Sequence, residues 1–99
     1  MEIIEYQAPS EMAQFFELIK LLYPKMSEET YMQMLADMAE QQNYKMVVVF
    51  VEGKPVALCG YIIGVMFYCG KYLQMTNLIV LPEYRQMSIA SKITAYLQQ

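Results

Sequence analysis

The sequence predicts one mixed α/β (α+β) domain, in the order β-α-α-β-β-β-α around a central, mostly antiparallel sheet. Three observations carry this. Two stretches near the N-terminus place apolar residues at helical spacing. A long β-branched and aromatic block follows, broken by two Gly-Lys turns. A last amphipathic stretch begins just after Pro82.

The elements follow in order. Residues 2–6 (EIIEY) read as a short strand, stopped by Ala8-Pro9-Ser10, with Ser10 as the expected helix N-cap. Over 11–22, Met12, Phe15, Phe16, Ile19 and Leu22 recur at helical spacing. Tyr23-Pro24 ends that helix, because the residue before proline is pushed away from α. Ser27 caps the next helix, expected over 28–41, with Glu28 and Glu29 favourably placed against its dipole. Tyr31, Met34, Leu35 and Met38 form its apolar face, read as core.

Residues 45–52 hold the continuous run MVVVFV, as expected for a strand covered on both faces. Glu52-Gly53-Lys54-Pro55 signals a hairpin, and 55–68 read as a long second strand in which Gly60 and Gly64 mark bends or bulges. Cys69-Gly70-Lys71 turns into a third strand over 72–81, ended by Pro82. A helix over 86–98 presents Ile89, Ile93, Tyr96 and Leu97 on one face.

The composition bounds the function. The 99 residues fit a single domain spanning 1–99. Apolar residues make up 57% and charged residues 17%, which excludes a disordered or low-complexity chain. Much of the apolar excess lies in ten Met and nine Tyr, residues that pack adaptably or keep a polar tip. The net charge is −3 with no basic stripe, so no nucleic-acid partner is expected. Histidine is absent, which removes imidazole catalysis and His-dependent metal sites.

Cys59 and Cys69 would lie about 33 Å apart on one strand and could not bridge. Both are expected to be buried, reduced thiols of a cytoplasmic protein. Glu2 and Glu5 stand where an export signal would carry basic residues. The uncharged run 55–69 is 15 residues long, short of the roughly 18 a membrane span needs. No membrane association and no metal are expected.

The segment with chemical content is 78–92, where a strand runs through a tight turn into a helix. The first N–H groups of a helix lack internal partners, and with the helix dipole they suit an anion such as a pyrophosphate. Ser88, Ala90 and Ser91 are small enough to let a phosphate approach the backbone, and Arg85 adds positive charge.

Here the chain resembles the GNAT family of N-acetyltransferases, which carry Leu-x-Val-x-Pro followed by Arg/Gln-x-x-Gly-x-Gly/Ala at this junction. Leu78, Val80 and Pro82 match the strand part, and Arg85 and Ala90 match the loop. Glu83-Tyr84 is a common pairing there, and the preceding order of elements agrees over essentially the whole chain. The resemblance implies a GNAT-like acyl-CoA N-acyltransferase fold, truncated after the motif helix. It implies acetyl-CoA as cosubstrate, with the backbone of Leu78, Ile79 and Val80 pairing with the pantetheine arm. The N–H groups of Gln86, Met87, Ser88, Ile89, Ala90 and Ser91 would hold the pyrophosphate beside Arg85.

Two departures stand out. Ser88 occupies the loop's first glycine position, and the family domain continues beyond this helix with structure that completes the cleft. Family members often use a Glu on the motif strand as base. This chain has Gln74, Met75, Thr76 and Asn77 there, and Glu52 and Glu83 read as solvated turn residues, so the catalytic residues stay unassigned.

Three readings stay open: an acetyltransferase transferring an acetyl group to an amine, alone or when completed by a second chain; a catalytically inactive module acting by self-association or weak CoA binding; and a gene remnant. The third strand, without later cover, should be an open edge. Leu78, Val80, Ile89 and Ile93 should be partly uncovered, and a homodimer through 72–81 and 86–98 is expected.

Overall fold

The computed structural model describes residues 1–98. Its strands are β1 (Glu2–Tyr6), β2 (Lys45–Val51), β3 (Lys54–Met66), β4 (Gly70–Met75) and β5 (Ile79–Val80). Its helices are α1 (Pro9–Met12), α2 (Phe16–Leu22), α3 (Glu28–Gln42) and α4 (Ile89–Leu97). All pairings are antiparallel. The order is β1-β2-β3, with β4 and β5 lying end to end against β3.

The sheet is covered on both faces. Alternation along β2 sends Met46 and Val48 toward α1, α2 and α3, where they meet Met12, Phe15, Leu35 and Leu58. Val49, Ala57 and Cys59 face the other way, onto Ile89 and Ile93 of α4. Residues 46–49 are fully buried, which is why this strand reads as an unbroken apolar run. Burying Ile89 and Ile93 contributes about 1.5–3 kcal/mol each, and this pins α4 to the sheet. The expectation that these two isoleucines are partly uncovered is therefore corrected; of the four residues in question it is Leu78, at 40%, that stays exposed.

Local chemistry explains most boundaries. Ser27 Oγ accepts the Thr30 N–H at 3.1 Å and caps α3, and Asn43 closes that helix in the left-handed region. Glu52 and Gly53 both have positive φ and form the two-residue turn between β2 and β3.

Several expectations are corrected. Ser10 is not the cap: Ala8 precedes the first helix and Pro9 takes its first position, where a missing N–H costs nothing. The single helix expected over 11–22 is interrupted by a 3-10 turn at Ala13–Phe15. Gly60 and Gly64 mark no bulge. The Tyr44 and Tyr72 side chains lie over them, so any Cβ would collide with those rings. The irregularity between β2 and β3 falls at Val49/Phe50 instead. Cys69 is exposed, although Cys59 is buried and both are free thiols.

The third strand is not continuous over 72–81. Met75 pairs with Tyr61 and Thr76 N–H bonds to the Gly60 carbonyl at 2.7 Å. Beyond this point Ile79 pairs with Leu58. Two residues, Asn77 and Leu78, thus stand opposite the single Cys59, which defines a β-bulge. The last helix also starts later than expected, at Ile89, because Pro82–Met87 forms a 3-10 helix that ends at Ser88.

Candidate functional site

The bulge and the start of α4 shape one open groove of about 500 Å³. Leu78, Ile79 and Val80 line it along the free edge of β5. Arg85, Ser88, Ala90 and Ser91 line it from the turn and the first turn of α4, and Leu21 and Leu22 of α2 form the opposite wall. Seven of the ten residues singled out from sequence are thus brought together. Gln86 and Met87 are exposed on the 3-10 turn and do not line the groove. The Ile89 side chain is buried beneath α4, so this residue offers the groove its backbone alone.

The backbone of β5 faces the groove for a definite reason. The Leu81 N–H donates to the Val56 carbonyl at 2.9 Å, so Leu81 faces β3. Alternation along an antiparallel ladder then turns the N–H and C=O groups of Val80 outward. Arg85 Nε donates to the outward Val80 carbonyl at 3.3 Å, which fixes the guanidinium at the groove's edge.

At the other end, Ser88 adopts φ 57° and ψ 33°, the left-handed region that favours glycine. This geometry ends the 3-10 turn and launches α4, whose first turn has no side-chain cap and no acidic residue. The earliest N–H groups of a helix end built this way carry partial positive charge. The groove therefore joins the free edge of β5 to a cationic helix start. Among the described residues no side-chain carboxylate lines it. Glu52 sits in the exposed β2–β3 turn and Glu83 is exposed in the 3-10 turn. Among the described residues no group of His, Cys, Asp and Glu could hold a metal ion.

Next to the groove the bulge carries polar groups that sequence reasoning did not single out. Tyr23 Oη donates to Asn77 Oδ1 at 2.8 Å. Thr76 Oγ1 is buried without a hydrogen-bond partner among the described residues, and lies with the Tyr44 hydroxyl over Gly60. Burial pushes the Tyr44 phenol above its ordinary value, against the pull of the Thr76 and Asn77 side chains. Thr76-Asn77, a polar pair inside an apolar strand, was the available signal. Leu21, off the apolar stripe of its helix, was the signal for the opposite wall.

The model of the acetyltransferase (GNAT) family matches residues 12–99. Among solved structures, the aminoglycoside antibiotic 6'-N-acetyltransferase AAC(6')-Ih from Acinetobacter baumannii is 19% identical, with a TM-score of 0.77 over 98% of this chain and 68% of its own. The ribosomal-protein-alanine N-acetyltransferase from Brucella melitensis biovar Abortus 2308 is 17% identical, with a TM-score of 0.79 over 99% of this chain and 70% of its own. The aminoglycoside N-acetyltransferase AAC(6')-Iy, in complex with CoA, is 16% identical, with a TM-score of 0.74 over 98% and 67%. No curated protein matches the sequence.

Proposed function

This chain belongs to the GNAT acetyltransferase family, and from that membership we propose that it binds acetyl-CoA in the groove and transfers the acetyl group to an amine. The observation that carries the reading is that the outward backbone of Val80, on the free edge of β5, shares one groove with the uncapped first turn of α4. A pantetheine arm has amides of its own and would add to β5 as an extra strand does. The pyrophosphate would lie against the N–H groups between Ser88 and Ser91, with Arg85 as its charged neighbour.

In the transfer, the amine nitrogen forms a bond to the acetyl carbon and the carbon–sulfur bond breaks. The proton lost by the amine ends on the thiolate. The chain's contribution is to hold the thioester beside the bulge with fixed backbone donors, a placement whose cost is met before the reaction.

Calorimetric titration with acetyl-CoA tests this reading. Saturable binding supports it, and no heat at millimolar ligand would overturn it. We further propose that two copies associate through 72–81 and α4. Within that segment Leu73 and Leu78 are 38% and 40% exposed, which supports this. Sedimentation at tens of micromolar should then report twice the 11.6 kDa chain mass.

A further inference from the structure

A cleft of about 310 Å³ opens on the face of the sheet that α4 covers. Ile3 and Cys59 pack on that face with Ile89 and Ile93, and residues two further along a strand keep to the same face. Glu5 of β1 and Tyr61 of β3 therefore lie just beyond them, and Tyr96 and Leu97, in the last turn of α4, form one wall. Ile63 of β3 and Leu73 of β4 line the outer end, where they are 44% and 38% exposed. The cleft shares no lining residue with the groove.

The charge in this cleft has no opposite. Glu5 is its one acidic lining residue, and no lysine or arginine lines it; Lys45, opposite Tyr61 on β2, is not among the lining residues. The half-buried carboxylate is held by neutral donors alone. Tyr61 Oη donates to Oε1 at 2.6 Å, and Gln7 Nε2 donates to Oε2 at 3.4 Å. A carboxylate has about four acceptor positions, so lone pairs remain. Burial, then the bond and charge of Glu5, then Tyr96 push the Tyr61 phenol above its ordinary value, which keeps it a donor.

We propose that this cleft is a second ligand site, apart from the groove, for a quaternary ammonium ion with a short apolar tail. The cationic head would lie beside the Glu5 carboxylate and the phenols of Tyr61 and Tyr96, and the tail along Ile63, Leu73 and Leu97. Tyrosine rings attract such a cation, and the attraction grows where water is excluded. A compact ammonium is strongly hydrated and loses more on entering an apolar cleft. A quaternary ammonium has neither an N–H nor a lone pair, so it cannot accept an acetyl group. The site is therefore independent of the acetyltransferase reading.

The test uses the full 15N-labelled chain, titrated separately with benzyltrimethylammonium and with phenylmethanesulfonate, which carries the same ring and the opposite charge. The cation should shift the amide signals of Glu5, Tyr61, Leu73 and Tyr96 at millimolar concentration, and the sulfonate should leave them in place. Glu5→Gln, which can still accept from Tyr61, should weaken the cation at least tenfold. The wild-type spectra decide the matter if that variant fails to fold. The site is refuted if the cation leaves these amides unmoved, if the sulfonate shifts them as strongly, or if the cation moves the groove amides of Ala90 and Ser91 instead. Unchanged affinity in a folded Glu5→Gln chain would equally refute it.

Discussion

Tyr23, just past the end of α2, donates its hydroxyl hydrogen to Asn77 Oδ1 in the bulge at 2.8 Å, across 54 residues of sequence. The bond ties the helical layer to the one place where the β4–β5 path departs from regular pairing. Because it is exposed, Tyr23→Phe should cost only about 0.5–1 kcal/mol in urea unfolding. Its larger effect should be local. Amide exchange at Thr76 and Asn77 should quicken by more than the loss of global stability accounts for, and unchanged exchange there would show that the bulge is held by the ladder alone.

Ser88→Gly should leave stability unchanged or raise it by up to about 1 kcal/mol. A side chain in the left-handed region costs roughly 1–2 kcal/mol, and glycine gives back about 0.5–1 in unfolded-chain entropy. Removing the Cβ also clears the approach to the α4 amides, so acetyl-CoA should bind more tightly. Weaker binding would instead identify the Ser88 hydroxyl as a donor to the ligand.

Arg85→Ala should weaken acetyl-CoA binding by on the order of 1–3 kcal/mol, the range for a charge-assisted phosphate contact. Arg85→Lys should recover only part, since Lys has no Nε–H to hold the Val80 carbonyl. The wild-type affinity should fall with added salt more steeply than that of the Ala variant. Parallel salt curves would remove Arg85 from the site.

Alkaline pH should destabilise the protein. Burial raises the Cys59 thiol to about 11 from an ordinary 9.0. The folded chain keeps its proton where the unfolded chain has lost it, so this contribution is intact below pH 9 and is lost as pH rises toward 11. The full loss is about 2–3 kcal/mol. Burial also raises the Tyr31 and Tyr44 phenols, which extends the decline above pH 10. Urea midpoints at pH 8 and 11 should differ less in Cys59→Ala than in the wild type.

Much of the fold was legible because the relevant signals are local. Ser27 and its acidic followers mark α3, the MVVVFV run marks a doubly covered strand, and Glu52-Gly53 marks the turn. The bulge was not legible, because it is a mismatch of register between Asn77-Leu78 and Cys59 on another strand, and no single stretch encodes it. The motif located the groove through Leu78, Val80 and Arg85. Helical spacing already put Ile89 with Ile93 on the core-facing side; the start of α4 was not legible, since it depends on where the preceding 3-10 turn ends. The cleft at Glu5 and Tyr96 was hidden for a similar reason, as it forms only when α4 closes on β1, β3 and β4.

The double duty of α4 has a thermodynamic consequence. Ala90 and Ser91 of its first turn line the groove, while Ile89 in that same turn and Ile93 one turn further on anchor the far face of β2 and β3. A molecule bound at the groove therefore cannot stabilise its own surroundings alone. At about a hundred times its dissociation constant it would add roughly 2.7 kcal/mol to global unfolding, and amides deep in β2, remote from the ligand, would share that protection. Conversely, an Ile93→Val truncation that touches nothing in the groove would register as lost affinity to the extent that it lets the helix start fray.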